Sequence, residues 1–562
     1  MRVNGKVSKF WLEIVILFSI LAGCQSVPPL SLPSQTAPLG VETPLPSQTP
    51  FQPQVPTRQI VTLTPTPVPP VKLGLHPGVP QNLRQGIQPI EGMQWAAEGE
   101  SADLWLVPDR SNSEGSASWV FALAAPFSTL EDEINSQALL SLWKGEAVEG
   151  WEDEKLYLTE TTRAMLERVW GEGSVDKLRI VNDSHEMMEL AWGDQPALAI
   201  LPFEELEPRW KVLRIDGLSP LQQEFPTEDY FLTVYFHWEG ETTAAILPPL
   251  PASNRLEEKM TVITMTGVTA LTRATGFMMD KYGILYPGED IRDWMREADF
   301  THVSNEVSFH PDCPAQDPNY VLLRFCSRPI YIDLLEDVGV DIVELTGNHL
   351  MDFRPEALPL SMEMYRERGW YTFGGGENLE IAQQPALLEH NGNAFAFVGC
   401  NPAGPGGDWA GPGNAGTQPC DWDAFRQQIR DLTAEGYLVI ATLQYGESYS
   451  AIPGPQQVAD FRSLSEAGAV IVSGSQAHYP QAFDFLDGKL IHHGLGNLFF
   501  DQMDYPVVGT RREFLDRHVF YEGRHISTEL LTAMLENYAR PRPMTAEERM
   551  NFLRDIFKAS GW

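Results

Sequence analysis

The chain has 562 residues, 43% of them hydrophobic, which is too long for one ordinary domain and apolar enough to core two or three. Lys and Arg number 40 against 76 Asp and Glu, a formal net charge of −36. So acidic a chain repels polyanions and excludes nucleic acid as a natural partner, while the charge serves solubility.

Arg2, Lys6 and Lys9 precede the apolar run Ile14 to Leu21, which is too short to span a bilayer and reads as an export signal over residues 1–24. The run ends in Leu21-Ala22-Gly23-Cys24, which resembles the bacterial lipobox. That resemblance implies that Cys24 is lipidated and anchors the mature protein to the extracytoplasmic face of the cell membrane. Residues 25–74 are rich in Pro, Thr, Ser and Gln, cannot bury a core, and read as a disordered stalk. The remaining cysteines are Cys313, Cys326, Cys400 and Cys420. Export favours disulfides, and of the three possible pairings proximity favours Cys313–Cys326 and Cys400–Cys420. Without a Cys-x-x-Cys spacing, a structural zinc site is not expected.

Residues 75–255 read as a first, smaller α/β domain. Trp119 to Ala124 is a buried strand, and Ser128 to Lys144 is expected as a helix with Ser128 as N-cap and Glu131 closing a capping box. Ala197 to Leu201 and Trp210 to Ile215 read as strands. The segments around Leu140 to Gly145 and from Ile200 to Pro220 resemble type 2 periplasmic substrate-binding domains of the phosphate-binding kind. No residue set there forms a ligand site.

Residues 256–510 alternate strand and helix. Strands are expected at Met260–Met265, Thr301–Val307, Asp341–Leu345, Ala394–Gly399, Leu438–Leu443 and Ala469–Val472. Helices are expected at Asp290–Ala298, Ile330–Val338, Pro355–Arg368, Ala424–Glu435 and Gln456–Ala467, and Asn391-Gly392 and Asp487-Gly488 mark hairpins. This implies a layered α/β architecture with mixed sheets. Residues 511–562 are expected as a helical extension, with helices near Ser527–Glu536 and Thr545–Lys558.

Polar, glycine-flanked tips follow several of the strands: Thr346-Gly347-Asn348-His349, Gly474-Ser475-Gln476-Ala477-His478 and His493-Gly494-Leu495-Gly496-Asn497. Strand tips that meet at one sheet edge are how α/β folds assemble sites. A Gly-Asn-His corner suits metal-assisted phosphoester chemistry, with the Asn carbonyl on a metal and the His donating a proton. His493 is expected to face the pocket and His492 the opposite side. The glycines of Phe373-Gly374-Gly375-Gly376 are a weak candidate anion cradle, and Arg273 an ion-pair partner.

In order along the chain, Ser304-Asn305-Glu306, Leu345 to Asp352, Gln444 to Tyr449, Gly474 to Gln481 and Gly494 to Asp501 resemble the CapA family, named for poly-γ-glutamate capsule synthesis. The resemblance implies a metallophosphatase-like αββα sandwich beside the smaller substrate-binding-like domain. It implies a membrane-anchored protein acting in synthesis, anchoring or trimming of a surface polymer, as a hydrolase or transferase. His349 and His478 would be the acid–base pair, Glu306 and Asn348 would hold a metal or water, and Glu447 and Asp352 would support them. The partner would be an anionic or amide-containing polymer, or a small solute.

Three positions depart from the family pattern. Val268 follows Gly267 where the family carries Asp, and Gln444 and Gln476 stand where it carries His. The remaining set could hold one divalent ion or none, and is poor for a dinuclear centre. The pocket is therefore expected to have moved toward polar recognition, with Gln444, Glu447, Gln476 and His493 facing substrate. The alternative is a non-catalytic receptor or scaffold.

Overall fold

The computed structural model describes residues 69–242, 246–320 and 322–562. Cys24, the export signal and nearly all of the expected stalk lie outside the described residues.

The first region is built on a nine-stranded mixed sheet. Its centre is the buried strand Ala117–Pro126, antiparallel to both Thr233–Gly240 and Ala197–Pro202. The helix expected from Ser128 starts only at Ser136 and runs to Trp143, with Asn135 rather than Ser128 accepting the capping bond from Ala138 N at 2.8 Å. The reason is tertiary. Ser128 Oγ donates to Gln195 Oε1 at 2.9 Å, and Asp132 is held by Lys211 and Arg549. Glu133–Ile134 therefore pairs with Arg214–Ile215 as a short parallel strand. The expected strand Trp210–Ile215 is split at Leu213, since Trp210–Val212 pairs instead with the end of Ala117–Pro126.

In the second region the strands are, in chain order, β1 (Met260–Thr269), β2 (Phe300–Asn305), β3 (Ile342–Glu344), β4 (Tyr371–Phe373), β5 (Ala386–His390), β6 (Asn393–Cys400), β7 (Leu438–Gln444), β8 (Ile471–Ser475), β9 (Phe483–Leu486), β10 (Lys489–His492), β11 (Arg512–Tyr521), β12 (Arg524–Glu536) and β13 (Arg540–Pro543). One sheet has the order β4-β3-β2-β1-β11-β12-β13, the other β5-β6-β7-β8-β10-β9. Ile263, Met265, Phe395, Phe397, Ile440 and Phe520 pack between them. Helices α1 (Ile332–Asp337) and α2 (Ala357–Glu367) cover the outer face of the first sheet through Leu334, Leu335, Leu358 and Tyr365. Helices α3 (Trp422–Ala434) and α4 (Pro455–Ala467) cover the second through Phe425, Ile429, Phe461 and Leu464. The result is the expected αββα sandwich. Asn391-Gly392 and Asp487-Gly488 turn the two expected hairpins, all four residues at positive φ.

The expected helical extension over residues 511–562 is corrected. β11, β12 and β13 complete the first sheet, and the segment Ser527–Glu536 is strand, not helix. Ile526, Thr528, Leu530 and Thr532 are all buried, a two-residue period, and Glu522-Gly523 at positive φ makes the tight turn before them. Of the two helices expected there, Ala546–Ala559 forms, with the Thr545/Glu548 capping box.

The boundary near residue 255 is not a break in packing. Met260, Val262, Val519, Tyr521 and Ile526 share one apolar core with the first region. Tyr521 Oη donates to Asn254 O at 2.8 Å, and Arg549 on the last helix grips Asp132 at 2.7 and 2.8 Å.

Candidate functional site

β1, β2, β3 and β4 run parallel in one sheet, and β6, β7, β8 and β10 run parallel in the other. Their polar tips therefore emerge at one end. The backbone bridge Val268–Asn497 ties the tips of the two sheets together, and Val307–His349 joins neighbouring tips of the first sheet. Between them lies a cavity of about 880 Å³, lined among others by Asn348, His349, Asp352, Glu447, Gln476 and His478.

His349 is set by the carboxylate three residues on. Its Nδ1 donates to Asp352 Oδ2 at 2.7 Å, and Asp352 Oδ2 also accepts Phe325 N at 2.9 Å. The ring lies on Phe325, 4.6 Å between centroids. Burial pulls the His349 pKa down, but the Asp352 hydrogen bond and the charges of Glu306, Asp352 and Asp408 outweigh it and raise the pKa above the ordinary histidine value. With Nδ1 taken, Nε2 is the free position.

His478 is oriented by Asn497. The Asn497 amide nitrogen donates to Thr510 O at 3.2 Å and His478 O at 3.4 Å, which turns its oxygen toward His478. His478 Nδ1, 2.9 Å from that oxygen, must therefore carry a proton and donate it. That leaves Nε2, 4.0 Å from Glu306 Oε1, as the lone-pair position. Gln476 and His478 both hold left-handed backbone, φ +69° and +51°, which non-glycine residues adopt at a cost. Asn497, expected to fix a turn, is thus also the support of a cavity histidine.

Gln444 departs from expectation. Its side chain is fully buried and does not line the cavity. Nε2 donates to Glu306 Oε1 at 3.1 Å and Asn348 Oδ1 at 3.2 Å, while Oε1 accepts Ser475 Oγ at 2.7 Å. It cannot present itself to substrate. His493 is corrected too. It is buried against Phe461 behind the wall, its pKa pushed down to about 3 by burial and by the charges of His492 and Arg462. His492 bonds Asp516 at 2.5 Å between the sheets.

Gln476 does line the cavity, and its buried Oε1 has no hydrogen-bond partner among the described residues. Glu447 accepts the Tyr449 hydroxyl at the cavity edge. Arg273, beside them, is paired with Asp501 and lies over Phe325 and Phe500. Both proximity-favoured disulfides are present, Cys313–Cys326 and Cys400–Cys420. The first closes the loop that brings Tyr320, Leu323 and Phe325 to the cavity wall. The second closes the loop holding Asp408, a residue the sequence reading missed because nothing marks it within a Gly/Pro-rich stretch. Burial and the Asp352 charge push the Asp408 pKa up to about 6, with His349 opposing. The glycine run 374–376 is no anion cradle. A Cβ at Gly374 would stand 2.5 Å from Thr346 Cγ2 and one at Gly375 2.6 Å from Leu345 O, so these glycines serve close packing.

The donor set does not fit a metal centre. Val268 is buried among Ala270, Val307, Phe325 and Phe500, an apolar cluster. On the expected metal ligands, Glu306 Oε1 and Asn348 Oδ1 both accept from the Gln444 amide. Among the described residues no group of three His, Cys, Asp or Glu side chains is placed to hold an ion.

Two sheets with helices outside and a polar cleft at the strand tips define a four-layered αββα domain with its candidate site at one end. Residues 256–502 match the family described as "Bacterial capsule synthesis protein PGA_cap". It is 24% identical over 327 residues to the capsule biosynthesis protein CapA of Bacillus anthracis, covering 56% of this chain and 77% of that protein. It is 24% identical over 172 residues to the PGA biosynthesis protein CapA of Bacillus subtilis strain 168, covering 30% of this chain and 45% of that one. A probable polyglutamine synthesis accessory protein of Mycobacterium tuberculosis is 25% identical over 201 residues, covering 33% and 51%. The chain thus spans about half the length of the latter two. Among solved structures, a 5'-nucleotidase precursor from Thermus thermophilus aligns with 53% of this chain and 59% of its own at 12% identity and a TM-score of 0.33. An ABC-type phosphate transport receptor from Vibrio cholerae aligns with 26% and 69% at 15% identity and a TM-score of 0.23. Both structural likenesses are distant.

Proposed function

We propose that this protein acts in synthesis, anchoring or trimming of a capsule-type surface polymer of the poly-γ-glutamate kind, as a hydrolase or transferase at an amide or ester bond. It works from the extracytoplasmic face of the membrane, held there by lipid on Cys24. The observation that carries the reading is the meeting of two oriented histidines with complementary roles in one cavity. His478 Nε2 takes the proton of the attacking water or nucleophile. His349 Nε2, on a ring whose protonated form Asp352 favours, gives one to the leaving group. Gln476, on the cavity lining, contacts the bound polymer.

The test is incubation of purified protein with poly-γ-glutamate of defined length, followed by light-scattering size analysis and by calorimetry of binding. The expected result is shortening by the wild type, abolished in His349→Ala and in His478→Ala while binding persists. Binding without shortening, in the wild type as in the variants, establishes the receptor or scaffold reading. Absence of both binding and shortening overturns the polymer reading. Mass spectrometry of the mature N-terminus checks the lipid on Cys24.

A further inference from the structure

We infer that the Gln444 amide has taken the place of a metal cation in the cavity wall, and that this residue and Val268 form a coupled, metal-free replacement for an ion site. The inference concerns the same cavity as the proposed function but does not depend on the polymer reading, because its test uses no substrate.

Glu306 Oε1 and Asn348 Oδ1 converge on one point from different strand tips, and His478 Nε2 lies 4.0 Å from that same Glu306 oxygen. A carboxylate and an amide carbonyl converging on one point, with an imidazole near the carboxylate, are what a divalent ion recruits. The spot is occupied by an –NH₂ group, at 3.1 and 3.2 Å from the two oxygens. Those are hydrogen-bond distances, against about 2.0–2.2 Å for a small transition ion. The amide cannot swing away cheaply, because it is fully buried and its other end accepts Ser475 Oγ at 2.7 Å.

Charge explains the second change. A divalent ion balances two or more carboxylates, whereas a neutral amide balances none and solvates one through its partial positive hydrogens. Glu306 is the carboxylate that the amide contacts. A second at position 268 would sit uncompensated beside Ala270, Val307, Phe325 and Phe500. Val268 fills that space with apolar surface. The wall then keeps Asn348 and Glu306 in register with no ion.

The experiment is calorimetric titration of Zn²⁺ and Mn²⁺ into the apo-dialysed full chain, for the wild type, Glu306→Gln, Gln444→His and Gln444→His/Val268→Asp, each checked for folding by circular dichroism. Wild type is expected to show no affinity that Glu306→Gln reduces. Gln444→His, which supplies a third ligand beside Glu306 and His478, should gain about tenfold or more in Zn²⁺ affinity, and the double variant more again. A wild-type site for one equivalent of either ion, weakened tenfold by Glu306→Gln, overturns the inference. So does a folded Gln444→His with no gain, a result that stands even if the double variant fails to fold.

Discussion

Replacing Gln444 with leucine keeps the side-chain volume nearly constant and removes three hydrogen bonds: those to Glu306 Oε1 (3.1 Å), to Asn348 Oδ1 (3.2 Å) and from Ser475 Oγ (2.7 Å). The bond to an ionised carboxylate contributes roughly 1.5–3 kcal/mol and each neutral one about 1 kcal/mol. The sum is about 3.5–5 kcal/mol, offset slightly by the apolar surface leucine buries. About half of the loss falls on Glu306, which is 1% exposed and whose carboxylate has no other hydrogen-bond donor among the described residues. Urea unfolding followed by tryptophan fluorescence measures it. The double variant Glu306→Gln/Gln444→Leu isolates the charge term, because a neutral partner is cheaper to abandon. The leucine change should cost about 1–2 kcal/mol less in that background than in the wild type. Strict additivity, or a loss below about 1 kcal/mol for Gln444→Leu alone, would refute the view that this amide solvates a buried charge.

Asp132→Asn leaves Lys211 and Arg549 half-buried without their shared counter-charge, and should cost about 2–4 kcal/mol in urea unfolding, the lower end because all three side chains keep some solvent contact. Burial pushes the Asp132 pKa up, but the Arg549 and Lys211 contacts overcome it and hold it below the ordinary carboxylate value. The stabilisation is therefore complete above the unfolded carboxylate pKa near 4 and is lost as pH falls toward the folded value; Asp132→Asn should flatten that acid limb. Cys313→Ser/Cys326→Ser opens a loop of sequence separation 13 and should cost about 3 kcal/mol, with proteolysis around Leu323 rising in parallel. Asp352→Asn removes the charge and weakens the hydrogen bond that raise the His349 pKa while burial still pulls it down, so an NMR titration of the ring should show a fall; no change would remove Asp352 from its assigned role. Activity that depends on protonated His349 should decline as pH rises through that raised pKa, and decline at lower pH in the variant.

How much of this was legible in the chain follows from what each element depends on. β1, β2, β6 and β7 announce themselves as apolar runs of β-branched and aromatic residues, and α3 and α4 by their periodicity with Pro455 at a helix start. β12 misled because Thr-Glu-Leu-Leu-Thr-Ala-Met-Leu-Glu suits a helix by propensity, and a full-length partner in β11 outweighs propensity. The Ser128 cap failed for a like reason: the serine found Gln195, which lies far along the chain. At the site, the spacing of the strand tips signalled convergence. It carried no signal that Asp408 would stand near His349, nor that His493 would turn to Phe461.

Residue identity by itself determined the layered architecture and the position of the polar tips after parallel strands. Those follow from periodicity and local chemistry, which act over a few residues. Whether the side chains on those tips face a ligand or each other was decided only in three dimensions. An amide offers a donor and an acceptor wherever it stands, and it was the burial of Gln444 between Glu306, Asn348 and Ser475 that turned it from a recognition group into a fixed part of the wall.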